Sequence, residues 1–366
     1  MSKVTGAGAF FEWLDGAADG LDTATAQAAD LLPALAGSGL VAAGVPQALG
    51  GSGGTVADGV RAIAQASARS LAAGFVLWGH RTYIEYLLQS PNEDLRGRHL
   101  PPLLEGSLAG ATGLSNAMKF LAGLEGLQVS ARPGEGGYRL DGKLPWVTNL
   151  RPQGFHVAAA VANGEGTAFV ASLASDAPGL ERSTDLDLIA MRGTHTAAVT
   201  IRDLALSPAD ILHPVAAEWL PRVRPAFLGL QIGMSIGLAR RALEEARGHI
   251  ADAGRHVLSA PIAEAARAVD VQENALFEGL ASGAFAAAAA PLFKIRIALA
   301  EIASTAVGLE LQASGGRAYL ATPGRDFARR WRESAFLPVI TPNLVQLKAA
   351  LAEHAAKAAP GSGHAA

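Results

Sequence analysis

The sequence predicts an α+β protein: an N-terminal helical domain (residues 1–107), a middle antiparallel β domain (108–214) and a C-terminal four-helix bundle (215–358). Three observations predict this order. Apolar residues recur at helical spacing between residues 9 and 107 and again from Pro225 onward, and they alternate in the stretches between. Turn dipeptides punctuate the middle part, at Pro133-Gly134, Asn163-Gly164, Pro178-Gly179 and Ser207-Pro208. In the last part Pro261, Pro291 and Pro342 stand at first-turn positions, where a missing N–H costs least.

In the first domain a helix over 31–40 ends in glycine, and a second over 55–71 opens with a Thr55 cap after the Gly50-Gly-Ser-Gly-Gly54 run. That run follows a helix and lacks the lysine of a phosphate-binding loop, so it reads as a flexible turn. A third, strongly apolar helix covers 72–89, and Ser90-Pro91-Asn92 starts the next. The middle domain has strands at 157–161, 167–173 and 196–206, and a strand from Tyr138 is expected to turn at Asp141-Gly142. Helices at 226–253, 262–279, 292–313 and 343–358 carry apolar stripes that suit an antiparallel bundle. Residues 359–366 are expected to form a disordered tail.

Composition narrows the function classes. The formal net charge of −3 gives no general pull toward nucleic acid or an anionic membrane. With no cysteine, disulfides, thiolate catalysis and Cys-ligated metal or iron–sulfur sites are excluded, and no metal centre is expected. The run 281–291 is mostly alanine and is shorter than the about 20 apolar residues a membrane helix needs. The N-terminus lacks the basic-then-apolar order of a signal peptide, so a soluble, cytoplasmic protein is expected. The cluster Arg325-Asp-Phe-Ala-Arg-Arg-Trp-Arg332 has a basic and aromatic pattern that can serve nucleic acid. In an acidic chain it reads as a salt-bridged helix face or an interface.

The most informative stretch is Tyr138-Arg-Leu-Asp-Gly-Lys-Leu-Pro-Trp-Val-Thr-Asn149, which delivers a ring, a hydroxyl and an amide close together. Alone it is a turn with a Trp after it; a planar redox cofactor is the other use for such a place. The chain resembles the acyl-CoA dehydrogenase superfamily of flavoproteins, including its flavin-dependent monooxygenases. The likeness rests on the helix–β–helix order and on several motifs. Gly44-Val-Pro-Gln-Ala-Leu-Gly-Gly-Ser-Gly53 and Leu100-Pro-Pro-Leu-Leu-Glu-Gly106 are similar to its first-domain turns. The 138–149 stretch is similar to its Tyr-x-x-x-Gly-x-Lys-x-Trp-Ile-Thr-Asn pattern, with Lys143 one place early. Residues 192–211 resemble its closing strand, Arg255-His-Val-Leu-Ser-Ala-Pro-Ile262 its Arg…Pro-Ile segment, and Gln312-Ala-Ser-Gly-Gly316 its Gln-x-x-Gly-Gly.

The resemblance implies an FAD-dependent oxidoreductase, with FMN as the other flavin, acting on a small-molecule substrate such as an acyl-CoA. It puts Trp146 and Thr148 beside the isoalloxazine ring, with Thr112 and Ser115 as a second wall. It puts Arg255 on the flavin diphosphate of a neighbouring subunit, and Gln312, Gly315 and Gly316 at the adenine end across that interface. A homodimer or homotetramer follows. Read without the family, Arg255 is a solvated helix-end arginine and the glycines are a helix C-cap.

One part of the pattern is missing. Dehydrogenases of this family abstract an α-proton with a glutamate shortly before the last helix or on the first bundle helix near Phe227. No Asp or Glu occurs between Ser334 and Lys348 or between Arg224 and Arg241. Glu218 and Glu333 are nearby acids. Three readings stay open: a dehydrogenase, a monooxygenase supplied with reduced flavin by a separate flavin reductase, or a member that binds without turnover. The monooxygenase reading needs a dry pocket, often with a histidine; His80 is the candidate, with His195 and Asn343 behind it. A lone histidine on an apolar helix is more often a satisfied core residue.

Overall fold

The computed structural model describes residues 6–114, 117, 120, 125–164, 166–250 and 254–358. Five helices come first: α1 (Ala7–Thr23), α2 (Ala28–Gly37), α3 (Val56–Ser67), α4 (Leu71–Leu88) and α5 (Glu93–Leu104). Thr55 caps α3 as expected: its Oγ1 accepts from Ala57 N at 3.3 Å, and Asp58 Oδ2 accepts from Thr55 N at 2.8 Å. That backbone N–H on the carboxylate, helped by Arg61, holds Asp58 below the usual aspartate range. Helix α4 is buried from Leu71 to Leu87, so it is the axis of the molecule rather than an amphipathic surface helix.

Eight strands form one sheet: β1 (Ala109–Thr112), β2 (Val129–Gly134), β3 (Gly137–Val147), β4 (Phe155–Ala162), β5 (Ala168–Ala174), β6 (Leu180–Arg182), β7 (Ala197–Leu206) and β8 (Ile211–His213). Their order is β6-β7-β3-β2-β4-β5-β8, with β1 beside β4. Two features correct the sequence expectation. The sheet is mixed, because β1 and β2 pair with β4 in parallel. A parallel pair needs a long crossover, and the hairpin of β2 and β3 lies within the one that joins β1 to β4. The strand from Tyr138 also does not turn at Asp141-Gly142. It runs on to Val147 with a register shift against β7 between Leu140 and Gly142, which is a bulge. Gly142 sits there at φ 150°, and a Cβ would lie 2.2 Å from Gln128 O.

The C-terminal part holds α6 (Ala216–His249), α7 (Ser259–Ser282), α8 (Ala284–Ala287), α9 (Ala290–Ser314), α10 (Arg325–Ser334) and α11 (Leu344–Ala358). Helix α6 starts at Ala216 rather than at residue 226, carrying Pro221 and Pro225 inside it. Tertiary burial overrides the prolines: Trp219, Leu220 and Val223 are buried in this stretch, and Trp219 Nε1 donates to Gln89 O at 3.1 Å. Glycines let α6 press on α3. A Cβ at Gly233 would lie 2.7 Å from Val60 O, and one at Gly237 2.2 Å from Ala64 O. The helices before and after the sheet therefore share one hydrophobic core.

The α10 arginines make ion pairs, as a salt-bridged face requires: Arg329 with Glu333, Arg330 with Glu310, and Arg332 with Asp22. No helix among the described residues is long and apolar enough to cross a membrane. The expected disordered tail lies outside the described residues.

Candidate functional site

A cavity of about 480 Å³ opens where the sheet meets the helices, the size of a small-molecule site. One wall is the end of β3, with Leu144, Trp146 and Thr148. Trp146 is 63% exposed, so its ring is presented to the cavity mouth rather than spent on packing. Thr148 is buried and donates from Oγ1 to Thr194 O at 3.2 Å. Asn149 follows in the left-handed region at φ 62°, and its Nδ2 donates to Gly110 O at 2.9 Å. These bonds fix the Trp-Val-Thr-Asn turn to β1 and to the segment before β7. Thr112 joins the same wall, its hydroxyl 2.8 Å from Tyr86 OH.

The opposite wall is aromatic and apolar. Phe75 and Trp78 of α4 stack at 5.5 Å with 6° between their planes, and Phe336 meets Phe75 edge-on at 4.7 Å. Phe227 of α6 packs against Trp78. The loop after α10 completes this side with Ala335, Phe336, Val339, Ile340 and Thr341. Two side chains behind it hold its backbone. Gln231 Nε2 donates to Thr341 O at 3.0 Å, and Arg296 donates to Leu337 O at 2.6 Å and to Gln231 Oε1 at 2.8 Å. Arg296 is fully buried, and burial pulls its guanidinium down to about 10.

Thr112, Trp146 and Thr148 thus meet in one cavity. Arg255, Gln312, Gly315 and Gly316 do not line it. They group elsewhere: a Cβ on Gly315, which sits at φ 61°, would lie 2.7 Å from Arg255 Nη2. Gln312 beside them is exposed. Ser115 lies outside the described residues.

His80, the histidine the sequence offered as a catalytic candidate, does not line the cavity. It is fully buried, with Nε2 2.9 Å from Leu103 O and Nδ1 accepting from Gly110 N at 3.0 Å. Burial lowers it to about 4, against the Leu103 hydrogen bond, with Arg151 and Arg81 adding to the fall. A neutral ring with both nitrogens used ties α4 to α5 and β1. His195 and Asn343 are also off the cavity. Burial lowers His195, against its contact with Asp185 at 3.2 Å, while Asn343 Oδ1 accepts from Gln346 N at the start of α11.

The two nearby acids that the sequence offered are elsewhere. Glu218 is exposed in the first turn of α6. Glu333 is completely buried and bonded to Arg329 and to Leu71 N. The charged residues that do line the cavity, among those described, are Glu125 and Arg332. Sequence reasoning missed both. Glu125 lies in a connection with no motif, and Arg332 was one of a row of arginines whose facing was unreadable.

Residues 14–107 match the family of acyl-CoA dehydrogenase N-terminal domains. A probable acyl-CoA dehydrogenase of Bacillus subtilis, YngJ, is 27% identical over 186 residues, 48% of this chain and 47% of that relative. The match therefore spans about half the length of that relative. Among solved structures, butyryl-CoA dehydrogenase from Megasphaera elsdenii superposes with a TM-score of 0.80 at 17% identity over 95% of both chains. Dibenzothiophene monooxygenase from a Paenibacillus species does so with a TM-score of 0.73 at 18% identity over 97% of both chains. Residues 14–107 thus carry an acyl-CoA dehydrogenase N-terminal domain, and nearly the whole chain has the fold of the acyl-CoA dehydrogenases.

Proposed function

We propose that this protein is a flavin-dependent oxidoreductase of the reduced-flavin monooxygenase kind, with the isoalloxazine ring lying in the cavity against Trp146. The observation that carries the reading is the pairing of two walls. An exposed indole with Thr148 and Thr112 faces a loop whose side chains, from Phe336 through Ile340 to Thr341, hold no carboxylate. The residues fit a flavin: a ring to cover one face, short hydroxyls for its edge, and apolar side chains that exclude water. When bound, the flavin supplies two-electron redox chemistry. Phe75, Trp78, Phe336 and Ile340 keep the substrate side dry, and Arg296 with Gln231 fixes the loop that presents Phe336 and Ile340.

FAD is the flavin this reading favours, with FMN the other choice. Arg255, Gln312, Gly315 and Gly316 would hold its diphosphate and adenosine from a second copy, in a homodimer or homotetramer. A separate flavin reductase is the partner, and the compartment is the cytoplasm. A second reading, α,β-dehydrogenation of an acyl-CoA, has one observation in its favour: Glu125 lines the cavity and would be the base.

Reconstitution with FAD or FMN should give visible flavin absorption in the purified protein. Trp146→Ala should weaken flavin binding about tenfold, because the lost contact is aromatic stacking, and should leave folding unchanged. No binding of either flavin, oxidised or reduced, ends both readings. Stopped-flow reoxidation separates them: a transient near-ultraviolet absorbance supports monooxygenation. Reoxidation without it, with bleaching by an acyl-CoA that Glu125→Gln abolishes, supports dehydrogenation.

A further inference from the structure

Donors at the cavity wall are mostly committed. Thr148 gives its hydroxyl to Thr194 O, Thr112 is bonded to Tyr86, and Thr196 is 2.8 Å from the Thr194 hydroxyl. Arg332 differs. Its Nε and Nη2 both donate to Asp22 Oδ2, at 2.9 and 2.6 Å, and Asp22 is completely buried with Oδ1 accepting from Met191 N. A guanidinium has five N–H donors, so three remain, and among the described residues they meet no acceptor. The Arg332 side chain keeps 33% of its exposure while lining the cavity. Asp22 therefore fixes the plane of the guanidinium from behind and leaves its Nη1 edge uncommitted.

The same side of the cavity carries an uncompensated charge. Arg296 stands directly behind the 335–341 loop, completely buried, bonded to an amide and a carbonyl. No carboxylate pairs with it among the described residues, and its Nη1 has no partner. A buried cation left this way is costly unless something negative offsets it. The stacked Phe75 and Trp78 that line the cavity suit a flat apolar body.

We infer that Arg332 is the polar anchor of this cavity and that the substrate is a flat, apolar molecule bearing a carboxylate or phenolate oxygen. The inference rests on the cavity being the substrate site of the proposed oxidoreductase. A bound flavin also offers a carbonyl acceptor, and the test separates that source from the substrate.

The probes are 2-naphthoate and its methyl ester, titrated against the protein with and without flavin and followed by tryptophan fluorescence. Naphthoate should bind about tenfold tighter than the ester or better, the scale of a hydrogen bond to a charged group. Arg332→Met alone would strand the Asp22 carboxylate, so it is combined with Asp22→Asn, with thermal melting as the folding check. In that double variant the two probes should bind within about twofold, the ester as in the parent. Arg332→Lys should keep part of the preference. Equal binding of the two probes by the parent protein would overturn the inference, as would an undiminished preference in the double variant. So would loss of flavin affinity in that variant with the preference intact, since Arg332 would then serve the flavin. A protein that takes up no flavin yet prefers naphthoate refutes the proposed redox function and leaves the anchor standing.

Discussion

Glu333→Ala is expected to cost about 3–5 kcal/mol of stability, the range for removing one partner of a buried ion pair. The carboxylate is completely buried and serves two elements at once. Oε1 accepts from Leu71 N at 2.9 Å, the first N–H of α4, and both oxygens take Arg329 Nη1 at 3.1–3.2 Å. It thus joins α10 to α4 and sets a negative charge at the positive end of the helix that carries Phe75 and Trp78. Without it Arg329, itself 5% exposed, is a buried cation with no partner. For 366 residues, at roughly 2.1 cal/mol/K of unfolding entropy each, the loss corresponds to about 5 °C in melting temperature. Glu333→Gln keeps an acceptor for Leu71 N and should lose less. Replacing both partners, Arg329→Leu with Glu333→Leu, should recover much of the difference. Differential scanning calorimetry checks the order. If Glu333→Ala melted like the parent but lost proton abstraction from an acyl thioester, Glu333 would be the missing base and its structural role refuted.

The fold was legible where short-range chemistry decides it. The Thr55 cap, the strands around Val157 and Val199, and the Trp146-Val-Thr148 wall announce themselves through turn residues, period and local order. What stayed hidden depends on partners far along the chain. Trp219 carries the first bundle helix back through Pro221 and Pro225 because its ring finds Tyr86 and its N–H finds Gln89 O. The parallel pairing of β1 with β4 depends on the crossover between them, which no local pattern encodes. In the site, Phe75 and Trp78 read as core because they lie in the most apolar part of α4, and the loop around Phe336, distant in sequence, turns one of its faces into a cavity wall. His80 shows the converse. Its sequence context was suggestive, but its ring is used up by two backbone groups.

Lowering the pH from 7 to 4.5 should destabilise the protein through buried neutral histidines. His80, His99 and His156 each fall from 6.5 to about 4, with burial as the main cause. For His99 the neighbouring His156 and Arg98 add to the fall and Asp210 opposes it; for His156, Arg98 adds and Asp176 opposes. The two rings lie 4.0 Å apart, with His99 bonded to Tyr83 OH and His156 to Ser172 Oγ, so two charges there would face each other. Because the folded state holds each ring below its unfolded value, the unfolded chain binds more protons between about pH 6.5 and 4. Each contribution is complete above pH 6.5 and is lost as pH falls toward 4. For fully buried His80 a shift from 6.5 to about 4 is worth about 3 kcal/mol when titration is complete. Glu310 and Glu333 act oppositely. Burial raises both carboxyls, so their contribution is complete below the unfolded glutamate value and lost as pH rises through the folded one. The informative comparison is therefore between proteins that differ only in the histidines. A His99→Gln, His156→Gln variant should lose less melting temperature than the parent between pH 7 and 4.5, and parallel curves would show that the pair carries no proton linkage.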